Sequence, residues 1–214
     1  MLLDKDMNRI GRVLVPYPAA VVSPSRYAGR YEQAVDERVC RMLRDLQIPA
    51  GTVHISFFVS GEHYYGVEMT ARVAATREHV FYQRQTGTDV LAMQLHYAVT
   101  GRAEPIVCAP EPTREAVYTQ VFLFVREGTI AKVEGLEDLR QQRGVLDVLQ
   151  LRQAGDTIRS DGSYGQLLAR IWLEADNERE MIQLVETVQS SVRAEDARGR
   201  DMLLHGFEAG RFFR

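Results

Sequence analysis

Three prolines, Pro105, Pro110 and Pro112, interrupt the chain near its midpoint. Proline has no amide N–H for a ladder or a helix interior, so no regular element can run through this stretch. It predicts a lobe boundary, with one lobe over 1–104 and a second over 105–214. A chain of 214 residues is long enough to bury a proper core. Strands and helices follow one another in both lobes without a regular strand–helix–strand alternation, which predicts an α+β fold.

In the first lobe, Arg12 to Val15 is a short strand candidate, followed by Pro16, Tyr17 and Pro18. Ser23 as N-cap and Pro24 at the first helical position predict a long helix. Tyr27, Tyr31, Ala34, Val35, Met42, Leu43 and Leu46 recur along it at helical spacing, up to Pro49-Ala50-Gly51. Thr52–Val59 and Tyr64–Met69 are rich in β-branched and aromatic residues and read as two strands joined by Ser60-Gly61-Glu62. Helices are predicted over Arg77–Gln85 and Asp89–Thr100, the second closed by Gly101. The second lobe predicts strands at Tyr118–Arg126, Thr129–Val133, Val145–Arg152 and Leu167–Glu174. A short helix follows Gly135, and Asp176 is expected to cap a final helix whose Met181, Val185, Val188 and Val192 share a face.

Composition excludes several classes. The net charge of −3 argues against a generic nucleic-acid binder. No apolar run approaches the roughly 20 residues of a membrane helix. Asp4, Lys5 and Asp6 break the order of a signal peptide, so the cytoplasm is the expected compartment. Cys40 and Cys108 cannot make a disulfide framework and read as free thiols. Lys5 and Lys132 are the only lysines among 26 basic residues, so any grip on an anion must come from arginine or backbone N–H groups. His63, His79, His96 and His205 show no metal-ligand spacing, and no GxGxxG, P-loop or GxSxG motif is present.

The order of motifs in the first lobe resembles the C-terminal half of an ATP-grasp catalytic domain. It runs from Arg12 through the Pro-rich turn and the long helix to Gly51-Thr52-Val53-His54. Then come a strand, a glycine turn, Gly66-Val67-Glu68-Met69-Thr70-Ala71-Arg72, a helix and Thr86-Gly87-Thr88-Asp89. Biotin carboxylases carry a similar succession, with a Glu-Met-Asn-x-Arg segment and a Thr-Gly-Val-Asp turn. The second lobe is closer to ATP-grasp L-amino acid ligases, through Gly128, Gly135-Leu136-Glu137-Asp138-Leu139, Gly155-Asp156 and Asp176.

The resemblance implies ATP and Mg²⁺ as cofactors and activation of a carboxylate as an acyl phosphate for attack by an amine. The family presents a carboxylate from each of two adjacent antiparallel strands, an amide two residues after the second carboxylate, and an arginine two further on. Residues two apart on a strand point the same way, so that spacing aims them at one metal cluster. Carried onto this chain, Glu68 takes the second carboxylate position, Thr70 the amide position and Arg72 the arginine position. Ser56 stands where the first carboxylate belongs, and as a neutral group it is a weak Mg²⁺ ligand. His54 and, more loosely, Arg12 are the candidate nucleotide contacts. Val73-Ala74-Ala75-Thr76 replaces a glycine-containing loop of the family.

Two functions are therefore expected. The first is the C-terminal portion of an ATP-dependent carboxylate–amine ligase, completed by an N-terminal ATP-grasp half that would bring the phosphate loop and adenine clamp. The second is a non-catalytic ATP-grasp-like module that binds a partner protein or small ligand, which Ser56 and Ala74-Ala75 favour. In either case the chain is expected to oligomerise or to dock on its missing half, because a half-domain exposes the apolar face that the other half covers.

Overall fold

A computed structural model of the chain describes residues 1–7, 18–48, 50–103, 116–160, 164–204 and 206–213. The fold is α+β. The chain divides into two compact units: Met1 with Arg26–Arg114, and Leu2–Ser25 with Glu115–Arg214.

The second unit is built on an antiparallel sheet. Its strands are β1 (Asp4–Asp6), β2 (Ala20–Ser23), β5 (Val117–Val125), β8 (Val145–Gln150), β10 (Leu167–Ala175) and β12 (Leu203–Leu204), and the spatial order is β1-β2-β5-β10-β8 with β12 also on β5. Two two-stranded pairs, β6 (Gly128–Thr129) with β9 (Thr157–Ile158) and β7 (Lys132–Glu134) with β11 (Arg193–Glu195), complete the described strands of this unit. β5 is buried along its whole length, because it is central and both of its faces are covered. Helix α6 (Glu178–Ser191) packs on β5 and β10 through Met181, Leu184, Val185 and Val188. Trp172, the single tryptophan, is fully buried in this unit.

Residues 2–7 and 18–25, placed in the first lobe by the sequence reading, belong instead with this sheet. Ala20↔Val121 and Val22↔Thr119 are in register across β2 and β5. For the same reason Ser23 is no helix cap: it is a buried strand residue opposite Tyr118, and the run Ala20-Val21-Val22 is drawn into the core. The expected strand over Thr129–Val133 is divided between β6 and β7, each with a different partner. Asn177, not Asp176, caps α6, its Oδ1 accepting the Glu180 N–H at 3.0 Å. The Arg12–Val15 strand candidate lies outside the described residues.

In the first unit, the helical stretch runs as α1 (Ala28–Tyr31), a π-helical segment (Glu32–Asp36) and α2 (Glu37–Asp45). It lies against a two-stranded hairpin, β3 (His54–Ser60) and β4 (His63–Thr70). Tyr31 meets Phe57 and Tyr64 edge-on, at ring-centroid distances of 5.8 and 6.0 Å. The Arg30 guanidinium donates to the Gly61 carbonyl at the hairpin tip, at 2.7 Å. Helices α3 (His79–Thr86) and α4 (Val90–Thr100) follow. Asp89 caps α4, accepting from the N–H groups of Leu91 and Ala92 at 3.0 Å. Among the described residues no helix is long and apolar enough to cross a membrane. The remaining helices, α5 (Leu136–Leu139) and α7 (Ala209–Phe212), are single turns in the second unit.

Candidate functional site

The hairpin of the first unit decides which candidate residues meet. A two-residue loop joins Ser60 and His63, with Gly61 at φ +56°, and this fixes the register as far as Phe57 opposite Gly66; a one-residue shift there sets the pairs beyond. Ile55 lies opposite Met69, Ser56 opposite Glu68, and His54 opposite Thr70. Directly opposed residues of an antiparallel pair project to the same side. The Ser56 hydroxyl donates to Glu68 Oε1 at 3.4 Å, a long bond that leaves the carboxylate mostly to solvent. His54, Ser56, Glu68 and Thr70 thus form two successive cross-strand pairs.

A register shift between Ser56 and Phe57 marks a β-bulge directly beside this group. A bulge turns the side chains on its two flanks relative to each other. Here it separates the packed end of the hairpin, where Phe57 and Tyr64 meet Tyr31, from the polar end that holds Ser56 and Glu68.

The polar end has one buried orphan. Thr70 Oγ1 is shielded from solvent and has no hydrogen-bond partner among the described residues. A buried hydroxyl left unpaired costs about 1–3 kcal/mol. Arg72 lies beyond the strand. β4 ends at Thr70, the backbone bends at Ala71 and Arg72, and the two-residue side-chain period does not carry to the arginine. Arg72 is exposed and donates to the Val73 carbonyl at 3.2 Å. Arg12 lies outside the described residues.

The segment after Arg72 holds a carboxylate that sequence reading did not single out. Glu78 is buried at the start of α3. The Thr76 hydroxyl donates to its Oε1, while Oε2 has no partner among the described residues. Arg77 just before it has φ +64°, a left-handed conformation uncommon for a side-chain-bearing residue. His79 Nδ1 is likewise buried and unpartnered. The one sequence signal was a Thr-x-Glu spacing ahead of a helical pattern, and this cannot report burial.

Burial holds the His79 pKa below the ordinary imidazole value of 6.5, and the Arg77 charge pushes it the same way; Asp89 and Glu78 oppose both. A depressed histidine pKa means that the folded state resists protonation more than the unfolded state does. The contribution to stability is therefore complete above pH 6.5 and is lost as pH falls below it. Proton NMR of His79 should show a titration midpoint below 6.5, and His79→Gln should flatten the stability profile between pH 7 and 5. A midpoint at or above the ordinary value would contradict the burial argument.

The donor set tests the fit of the cofactors implied by the sequence. Mg²⁺ takes hard oxygen ligands and keeps several waters. Glu68, Ser56 and Thr70 supply one carboxylate and two hydroxyl oxygens, and Thr70 Oγ1 has no other partner. No group of three or more His, Cys, Asp or Glu side chains stands together among the described residues. The set fits a single weakly held Mg²⁺ rather than a charged two-metal site.

Comparisons with known proteins agree with this architecture. Residues 121–196 match the model of L-amino acid ligase C-terminal domain 2. The fold is that of the C-terminal part of an ATP-grasp ligase. L-amino acid ligase from Bacillus licheniformis superposes with a TM-score of 0.69 at 18% identity, over 83% of this chain and 44% of that one. Phosphoribosylglycinamide synthetase from Anaerococcus prevotii gives 0.75 at 11% identity, over 91% and 48%. The biotin carboxylase domain of Hydrogenobacter thermophilus 2-oxoglutarate carboxylase, solved with MgADP and bicarbonate, gives 0.66 at 14% identity, over 90% and 41%. The chain thus spans less than half the length of each of these. No curated protein matches it significantly by sequence.

Proposed function

We propose that the chain is the C-terminal portion of an ATP-dependent carboxylate–amine ligase of the ATP-grasp type, acting on an amino acid. The observation that supports this best is the pairing of Ser56 with Glu68, next to His54 with Thr70, on a hairpin of a chain with this fold. The match of residues 121–196 to the L-amino acid ligase domain favours an amino acid over other carboxylates.

In this reading Glu68 is the charged ligand for Mg²⁺, with Ser56 and Thr70 as neutral oxygen ligands. Bound Mg²⁺ would screen the nucleotide phosphates and so lower the cost of bringing a carboxylate oxygen to phosphorus. His54, paired with Thr70, would donate to a phosphate oxygen in this reading. Arg72, exposed and outside the strand, can swing toward an acyl phosphate or a substrate carboxylate, for which its planar fork is suited. Arg12 would join the nucleotide contacts. The implied partner is an N-terminal ATP-grasp portion, in the same polypeptide or as a second subunit. Self-association is also proposed. Leu91, Leu95 and Val99 form an exposed stripe along α4, and such apolar patches mark interaction surfaces.

The chain alone is expected to bind Mg·ATP no more tightly than millimolar, since one carboxylate and two hydroxyls make a weak site. Calorimetry checks this, and a micromolar Kd for the isolated chain would refute it. Combined with its N-terminal portion, the protein should release ADP on addition of an amino acid and an amine, and Glu68→Gln should suppress that release. A specific observation keeps a second reading in play. A neutral serine at the first ligand position suits a module that binds without catalysis. In that case ligand binding would survive Glu68→Gln and no ADP would form.

A further inference from the structure

We propose that the second unit carries an anion-binding site between Arg152 and Arg159, taking a small ligand that ends in a phosphate or a carboxylate. It lies in an open cleft of about 220 Å³, lined by Arg152, Asp156, Thr157, Arg159 and Gly165. That volume is below the roughly 300 Å³ where drug-sized ligand pockets begin, so the cleft suits a small anion rather than a whole nucleotide.

The cleft is held in shape before any ligand arrives. Its floor is the turn after β8, where Asp156 Oδ2 accepts the Gln153 N–H at 2.9 Å. The same turn is tied to the chain beside β6, with Gly155 N–H donating to the Ile130 carbonyl at 2.8 Å and Ile130 N–H to the Asp156 carbonyl at 2.9 Å. Arg152 is fixed at both ends. Its backbone N–H donates to the Leu168 carbonyl at 3.2 Å, and its Nε donates to the Gly165 carbonyl at 3.0 Å. With Nε committed, the two Nη groups remain as a donor pair. That pair is the geometry which grips a phosphate or carboxylate. Arg159 directly follows β9 and is exposed at the same cleft.

Among the described residues, two guanidinium groups line the cleft with one carboxylate, so their charges do not cancel. Asp156 already uses an oxygen on the backbone of its own turn. Two arginines on one cleft repel each other, and an anion between them removes that cost. Thr157, whose hydroxyl lies 3.2 Å from that of Thr129, gives the rim a further polar group.

The site is independent of the ligase reading, because its residues all belong to the second unit and its test uses no nucleotide. The full chain would be titrated with inorganic phosphate in one arm and with succinate in the other. Ionic strength is held constant with chloride, and binding is followed by backbone amide NMR shifts. Saturable shifts at residues 152–159 and Gly165 are expected in one arm at least, and the stronger arm names the ligand class. Arg159→Gln, at an exposed position, should fold normally and weaken that binding about tenfold or more, as loss of a charge-assisted hydrogen bond does. Arg152→Lys keeps the charge but removes the fork, and should weaken it by a similar factor. The proposal is overturned if neither anion gives saturable shifts, or if binding persists unchanged in Arg159→Gln.

Discussion

Gly135→Ala is expected to destabilise the second unit by on the order of 4 kcal/mol. Gly135 sits at φ +85°, just before α5, and a Cβ built there would fall 2.0 Å from the Ser191 carbonyl oxygen and 3.2 Å from Val192 Cα. These are backbone atoms at the end of α6, where β11 begins its pairing with β7. No rotamer change can relieve the clash, so the β7–β11 pair or the end of α6 must move. Gly155→Ala is the natural control. It has φ +95° but nothing within 4 Å, so it carries only the backbone strain of about 1 kcal/mol. Trp172, fully buried in this unit, reports its unfolding by fluorescence. Urea denaturation should show a much larger loss for Gly135→Ala than for Gly155→Ala, and equal losses would show that the close approach contributes nothing.

The legible parts of this chain are those where local chemistry and tertiary context agree. The helix expected over Asp89–Thr100 is α4, closed by Gly101 at φ +67° and capped by Asp89. The hairpin was legible because Ser60-Gly61-Glu62 is short and sets the pairing as far as Phe57 and Gly66. The turn alone would set Ser56 opposite Val67; Ser56 falls opposite Glu68 only because the pairing shifts by one residue between Ser56 and Phe57. Ser23-Pro24 carried an equally good local signal for a helix start, yet there the non-local pairing of β2 with β5 wins. Burying Ala20, Val21 and Val22 outweighs a cap worth about 1 kcal/mol.

Other features had no local trace. The division of Thr129–Val133 between β6 and β7 depends on β9 and β11, which lie about 30 and 60 residues further on and fix each half separately. The bulge beside Ser56 leaves no sequence mark, since neither Phe57 nor Val67 is an unusual strand residue. Glu78 was not singled out in the sequence, and only tertiary packing makes it a buried carboxylate. Arg152 and Arg159 were two of many arginines, and a cleft that unites them exists only once the Gly155-Asp156 turn is folded. The polar residues that bear on function were thus partly legible by spacing along one strand. Those brought together by turns from different strands were not.

Ser56→Asp should convert the proposed weak cation site into a tight one, and the effect should be visible in this chain alone. The substitution sets a second carboxylate directly opposite Glu68, where a hydroxyl and a carboxylate oxygen now lie 3.4 Å apart. Without metal, like charges directly opposed across a strand pair repel, so the first unit should lose about 1 kcal/mol in the presence of EDTA. With Mg²⁺, the same repulsion becomes binding energy, since the cation gains a second charged ligand. Affinity is expected to rise about tenfold or more over the unsubstituted chain, equivalent to ~1.4 kcal/mol. Melting temperature should therefore fall in EDTA and recover as Mg²⁺ is added. Glu68→Gln in the same background should abolish both effects together, because each needs two carboxylates. A Ser56→Asp chain whose melting temperature is indifferent to Mg²⁺ would mean that the two side chains do not face a common point. The assignment of Glu68, Ser56 and Thr70 as metal ligands would then fall, while the fold would stand.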